Sequence, residues 1–394
     1  MHRPADPHNP VRRSEVARDA SEALSRADFR STRALVGFDG FIDSILDLVD
    51  VRADMSPDGY RRIQTLEALA GRIGAASGKS TNIEGVVREK RWGGNGPLLA
   101  GGVARLGVRT TYIGAVAAEE AHSPPKRHPI FAPLGTLCDD VIAIAPPGRT
   151  DAMEFDDGKL MINHCTAVQG VTWERILEIV GLERLRETVG SSALFGIVNW
   201  SLMGGVNGIW RGLIDLVLPS IPSRPRVFID LSDPAKRTDD DLAAGLALLT
   251  EMNTLTPVTL GLNLAEAERL CIVWGIPAVG LSLSERIVAM AEGLRHALRL
   301  ACVVIHPREG AGAATSDGDV AWFEGPMTRT PRISTGAGDH FNAGFAAACV
   351  AGLSLEQSLA TGTAVSGAYV RDGQAPTIGR LCEFLRDLPP PEAD

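Results

Sequence analysis

Nowhere in the sequence do two cysteines form a C-x-x-C pair; Cys138, Cys165, Cys271, Cys302, Cys349 and Cys382 are scattered singly. That spacing argues against a zinc ribbon or a disulfide framework and suits a reducing compartment. A basic excess is missing too. Lysine and arginine number 39 against 48 acids, for a net charge of −9, which disfavours binding along a phosphate backbone. The most apolar stretch, 343–355, is shorter than the roughly 18 residues a membrane span needs. The first 30 residues mix charges of both signs and contain no apolar segment of the secretory kind. The expectation is a cytoplasmic protein with no nucleic-acid or membrane partner. Internal repeats and low-complexity tracts are also lacking. Gly78-Lys79-Ser80 does not complete a Walker-type loop, because the glycine required five residues earlier is Ile73.

What is present is ordinary globular material, 45% hydrophobic and 22% charged. Residues 1–30 open rich in proline, histidine and arginine and continue as a polar helix over 14–26, an extension expected outside the core. From residue 34, short apolar runs at 34–38, 110–116, 140–145, 193–199, 226–230, 254–261 and 302–306 predict strands. Amphipathic segments at 97–106, 174–188, 208–218, 240–252, 264–274, 283–298 and 341–353 predict helices between them. Such alternation means βαβ units, a mostly parallel sheet and helices on both faces. Two stretches break the rhythm. Residues 51–92 carry a helix-like piece at 60–73, and 151–163 reads as a hairpin around Asp156-Asp-Gly158. Together, parts of 51–92 and 146–168 suggest a small β-lid.

The segment richest in chemistry is Ser334-Thr-Gly-Ala-Gly-Asp-His-Phe-Asn-Ala-Gly-Phe345. Gly336, Ala337 and Gly338 precede an apolar helix and leave backbone N–H groups open at its start, where the helix dipole favours an anion. In that setting Asp339 alone reads as a helix N-cap. Other glycine and acid clusters stand at Gly93-Gly-Asn-Gly-Pro, at Asn263-Leu-Ala-Glu266 and at Gly37-Phe-Asp-Gly-Phe-Ile-Asp43. Taken singly, these are a tight turn, a helix start and two acids at the end of a strand.

The string from Ser334 to Phe345 resembles the second signature of the PfkB carbohydrate kinases, the ribokinase-like sugar and nucleoside kinases. Gly93 to Gly107 resembles the first signature, and the resemblance covers most of 34–380. It implies an α/β fold, a ribokinase-like three-layer α/β/α sandwich with a small β-lid, over residues 31–390. It implies ATP-dependent transfer of the γ-phosphoryl group to a hydroxyl of a sugar or sugar-like acceptor, with ATP and Mg²⁺ as cofactors. By the same resemblance Asp339 is the general base, and Gly336, Ala337 and Gly338 form an anion hole. Asp43, Asp39, Gly94 and Asn95 position the acceptor. Gly310, Gly312 and Thr335 lie on the nucleotide side, and Asn263 with Glu266 organises the metal. The resemblance also implies a homodimer through the lid.

The chain departs from the pattern at several positions. Ile333 offers no side-chain ligand where a polar residue linked to a monovalent cation is usual, so weak or no potassium activation is expected. Leu98 replaces a sugar-contacting asparagine, and His306-Pro-Arg308 replaces the Thr-x-Gly of the nucleotide side. A nucleoside kinase on the same scaffold, with Phe38, Phe41 and Trp92 making a slot for the base, and a ligand-binding regulator without turnover are the competing readings. His340 is expected on the helix surface.

Overall fold

Seven short runs of apolar residues pack side by side as parallel strands, which must be apolar on both faces because helices cover both. In the computed structural model, which describes residues 10–119, 123–280 and 282–392, the sheet has nine strands. Their order is Val320–Glu324, Gly310–Thr315, Cys302–Ile305, Val258–Leu262, Arg226–Asp230, Leu194–Val198, Arg33–Phe38, Arg109–Gly114 and Asp140–Ala143. The first two form an antiparallel edge, and the other seven are parallel. Side-chain alternation divides the interior in two: Leu35, Phe195 and Ile229 point to one core, Ala34, Val36, Leu194 and Phe228 to the other.

The chain leaves the central strand Arg33–Phe38 toward Arg109–Gly114 on one side and later returns to Leu194–Val198 on the other. That reversal opens a crevice beyond the carboxyl ends of the strands, the usual ligand site of an open parallel sheet. Asp39, Asn199, Asp230, Asn263 and His306 all lie at those ends. Over the crevice stands a second sheet built on Phe41–Arg52, flanked by Gly85–Gly93 and Tyr60–Arg62 on one edge and by Gly148–Phe155 with Gly158–His164 on the other.

Several boundaries differ from expectation. Residues 254–255 close the helix Asp239–Leu255 instead of opening a strand, and Pro257, which restricts its predecessor to extended backbone, separates helix from strand. The segment 174–188 is two helices, Trp173–Ile179 and Leu182–Gly190, divided at Gly181 with φ +82°. The piece at 60–73 is a strand, Tyr60–Arg62, followed by a helix, Leu66–Ala75, capped by Thr65.

The N-terminal helix, Pro10–Arg26, is not outside the core. Ala17, Ala20 and Leu24 are buried against the helices Leu355–Asp372 and Ile378–Arg386, and the Ser21 hydroxyl donates to the Cys382 carbonyl at 2.9 Å. Its polar composition conceals a stripe of small residues at helical spacing. Residues 1–9 of the expected extension lie outside the described residues.

Candidate active site

The turn before the helix Ala337–Val350 is made by Gly336 at φ +86°, a left-handed conformation that suits glycine. Gly336, not Asp339, is therefore the N-cap. Asp339 sits in the first helical turn, buried, with its Oδ1 accepting from the Asn95 amide at 2.8 Å. Burial and the neighbouring charge of Asp230 hold the Asp339 carboxyl well above the usual carboxylate range, against the Asn95 hydrogen bond. A carboxylate so destabilised is a better proton acceptor than an exposed one.

Asn95 is held on three sides. Its Oδ1 accepts from the Ser232 hydroxyl at 3.1 Å, and its backbone N–H donates to Asp39 at 3.0 Å. The Asp39 carboxylate also accepts from Gly96 N–H at 2.6 Å and from the Asn199 amide at 2.7 Å, and it is fully buried. Gly94, the N-cap of the helix Asn95–Arg105, has no side chain to cap with, and Asp39 caps that helix instead. Asp39, predicted to position the acceptor, lies buried with its oxygens accepting from the turn that aims Asn95 and from Asn199.

Asp43 rises from the lid strand Phe41–Arg52 beside Arg91 and Thr150. A Cβ on Gly93 would come within 2.2 Å of its Oδ2, so only glycine leaves room for this carboxylate. Asp43 raises the pKa of both Asp39 and Asp339 electrostatically, which places the three acids around one space.

Asn263 and Glu266 form a reciprocal capping box: Asn263 Oδ1 accepts from Glu266 N–H at 3.0 Å, and Glu266 Oε2 accepts from Asn263 N–H at 2.9 Å. Glu266 Oε1 takes Asp233 N–H at 2.9 Å. Burial, then Asp230, pushes the Glu266 carboxyl up to about 8. Among the described residues no group of three or more His, Cys, Asp or Glu could hold a metal ion. Even so, the residues fit a hydrated divalent cation. Buried Asp230 raises the pKa values of both Glu266 and Asp339, and a cation held through water would offset that repulsion.

On the predicted nucleotide side, Gly310 and Gly312 do not open a loop. They lie in the strand Gly310–Thr315, where a Cβ would strike the Phe323 carbonyl at 2.4 Å and Ile287 at 2.7 Å respectively. Their small size serves sheet and helix packing. Thr335 does lie at the glycine turn, its hydroxyl accepting from Lys159 of the lid hairpin at 3.0 Å. The His306 ring packs on Phe341 with centroids 4.7 Å apart, and its Cε1 is 3.2 Å from where a Cβ on Gly338 would stand. His340 is buried instead of lying on the surface.

Sequence reasoning missed Asp230, Asn199 and Asn342, whose amide donates to Asp230 at 2.6 Å. One signal for Asn342 was available: three residues beyond Asp339 on the same helix, it shares a face with it.

The family described as prokaryotic ketohexokinase matches residues 12–388. The chain belongs to the prokaryotic ketohexokinase family. A ketohexokinase of Haloferax volcanii is 32% identical over 355 residues, 89% of this chain and 90% of that relative. The fold is similar to that of Arabidopsis thaliana ribokinase, solved with ribose and ATP, at a TM-score of 0.59 and 18% identity over 90% of this chain and 98% of that one. It is also similar to adenosine kinase from Sinorhizobium meliloti, at a TM-score of 0.58 and 17% identity over 91% and 99%. This member of the ketohexokinase family is thus a carbohydrate kinase of the PfkB group with a ribokinase-like fold, a phosphotransferase whose acceptor is an alcohol.

Proposed function

We propose that the chain transfers the γ-phosphoryl group of ATP to a hydroxymethyl group of a ketohexose, with Asp339 as general base. The carrying observation is the buried Asp339 carboxylate, aimed by Asn95 and lying in the first turn after the Gly336 bend. Asp339 takes the proton of the attacking hydroxyl. The amides around Gly336, Ala337 and Gly338 face the charge that builds on the transferring phosphoryl group, and such preorganised donors contribute most where water is excluded. Asp43 accepts hydrogen bonds from two neighbouring hydroxyls of the sugar. Asp39, Gly94 and Asn95 hold the turn that positions Asp339. Bound Mg²⁺ would neutralise the β- and γ-phosphate oxygens, with Asn263 and Glu266 organising its water shell.

A screen of ADP release over ketohexoses, aldoses, polyols and nucleosides tests this. A ketohexose should give the highest kcat/KM. A preference for nucleosides, or for an acceptor without vicinal hydroxyls, would refute the sugar assignment.

The lid supports pairing with a second copy. Leu160, Ile162 and Val87 are each between 37% and 48% exposed on one face of a small sheet, a patch suited to burial in a homodimer. Light scattering at micromolar concentration should show a dimer, and a monomer would refute this. The same reading assigns the enzyme to the cytoplasm, the compartment its scattered cysteines suit.

A further inference from the structure

His340 and Tyr369 come from different helices and meet behind the glycine turn. Their rings stack with centroids 3.6 Å apart and planes 10° from parallel, and both are buried. Each carries its polar atom to a carbonyl of the turn. The Tyr369 hydroxyl donates to the Thr335 carbonyl at 2.8 Å, and His340 Nδ1 lies 2.7 Å from the Gly336 carbonyl. A carbonyl can only accept, so that nitrogen carries the ring proton. The protonation states agree: burial holds the imidazole down near 4, leaving it neutral with one N–H, and pushes the tyrosine up to about 12, leaving it a donor.

The consequence follows from the planar trans peptide, in which C=O and the next N–H point in opposite directions. Fixing the Thr335 carbonyl fixes the Gly336 N–H, and fixing the Gly336 carbonyl fixes the Ala337 N–H. Thr335 precedes the helix, so the helical ladder does not orient its carbonyl. The Gly336 carbonyl also accepts from His340 N–H at 3.1 Å, and Ala337 N–H meets the Ser334 carbonyl at 3.3 Å. Of the two peptide planes, the first therefore depends more on its side-chain donor. A glycine at φ +86° is free to rotate unless something stops it.

We propose that Tyr369 and His340 act as positioning residues for phosphoryl transfer, a stacked pair whose donors hold the Thr335 and Gly336 peptides so that the Gly336 N–H, opposite the Thr335 carbonyl, faces the transferring phosphoryl group. The inference rests on the assignment of Gly336, Ala337 and Gly338 as the anion hole. It adds that this hole is preorganised by side chains of this chain.

Tyr369→Phe keeps the ring stack and removes one donor. It should lower kcat roughly tenfold, the effect of losing about one hydrogen bond's worth of transition-state stabilisation. The KM values for ATP and sugar should stay within about twofold, because ground-state binding uses other groups. Affinity for ADP with aluminium fluoride, a mimic of the transferring phosphoryl group, should fall by the same factor as kcat. His340→Phe should show a smaller loss of the same kind, since the Gly336 carbonyl keeps its backbone donor; it also tests the pair should Tyr369→Phe fold poorly. Wild-type kcat in Tyr369→Phe, or a lowered kcat with unchanged fluoride-complex affinity, would overturn the proposal. Asp339→Asn serves as the control: if it turns over normally, the underlying site assignment fails. If it is inactive while Tyr369→Phe is unaffected, the positioning role alone fails.

Discussion

Asn95 and Asp339 stand 244 positions apart in sequence and meet at 2.8 Å, amide to carboxylate. One belongs to the helix that starts beyond the first strand, the other to the helix after the glycine turn. The bond holds the carboxylate in one orientation in a buried space with Asp230 close by, and the expected behaviour of variants follows from that placement.

Replacing Asp339 by Asn should lower kcat by roughly 10²–10⁴-fold, the share a positioned general base usually contributes. The amide keeps the shape and cannot accept the proton. ATP binding, followed by calorimetry, should persist. Near-normal turnover would remove Asp339 from the role of base.

With Asp339 as the proposed base, the acid limb of the pH profile should lie above the ordinary carboxylate range, because a base acts ionised and the Asp339 pKa is raised. Activity is lost as pH falls through that value. Asp230→Asn removes a neighbouring negative charge, lowers the Asp339 pKa and should move the limb of kcat/KM toward lower pH. A limb that stays in place would mean that Asp230 does not set the base's ionisation.

Asp43→Ala should raise KM for the sugar roughly tenfold or more and leave KM for ATP almost unchanged, since a site built to accept hydroxyl protons loses its partner. Steady-state kinetics with each substrate varied in turn separates the two. An equal rise in both would place Asp43 in the fold of the lid alone.

Glu266→Gln should raise the Mg²⁺ concentration needed for half-maximal rate, because a negative charge leaves the neighbourhood of the cation. The measurement is a magnesium titration at saturating ATP and sugar. An unchanged titration would leave Asn263 and Glu266 as a helix cap only.

Leu24→Ala should destabilise the protein by about 2–5 kcal/mol and lower Tm while sparing kcat at temperatures where the chain stays folded. Leu24 is buried in the core far along the chain from the reacting groups. If Tm does not change, the N-terminal helix does not contribute to the stability of the domain.

What the sequence determined by itself is local. The apolar runs that become parallel strands, the glycine turn before the apolar helix and the capping box at Asn263 are each written within a dozen residues, where propensity and short-range hydrogen bonding act directly. The motif around Asp339 was legible for the same reason. Only the tertiary structure decided the rest. Asp39 became a cap for a helix that begins at Asn95 because the first strand ends beside that helix. His340 became a buried partner of Tyr369 because the helices Ala337–Val350 and Leu355–Asp372 pack together and hide a face that composition presents as surface. Gly310 and Gly312 turned from a loop into a strand because Trp322 and Phe323 lie across them. In each case the deciding partner is distant in sequence or on another element. Burial, which sets both the pKa of a carboxylate and the use of a ring, exists only once those elements have come together.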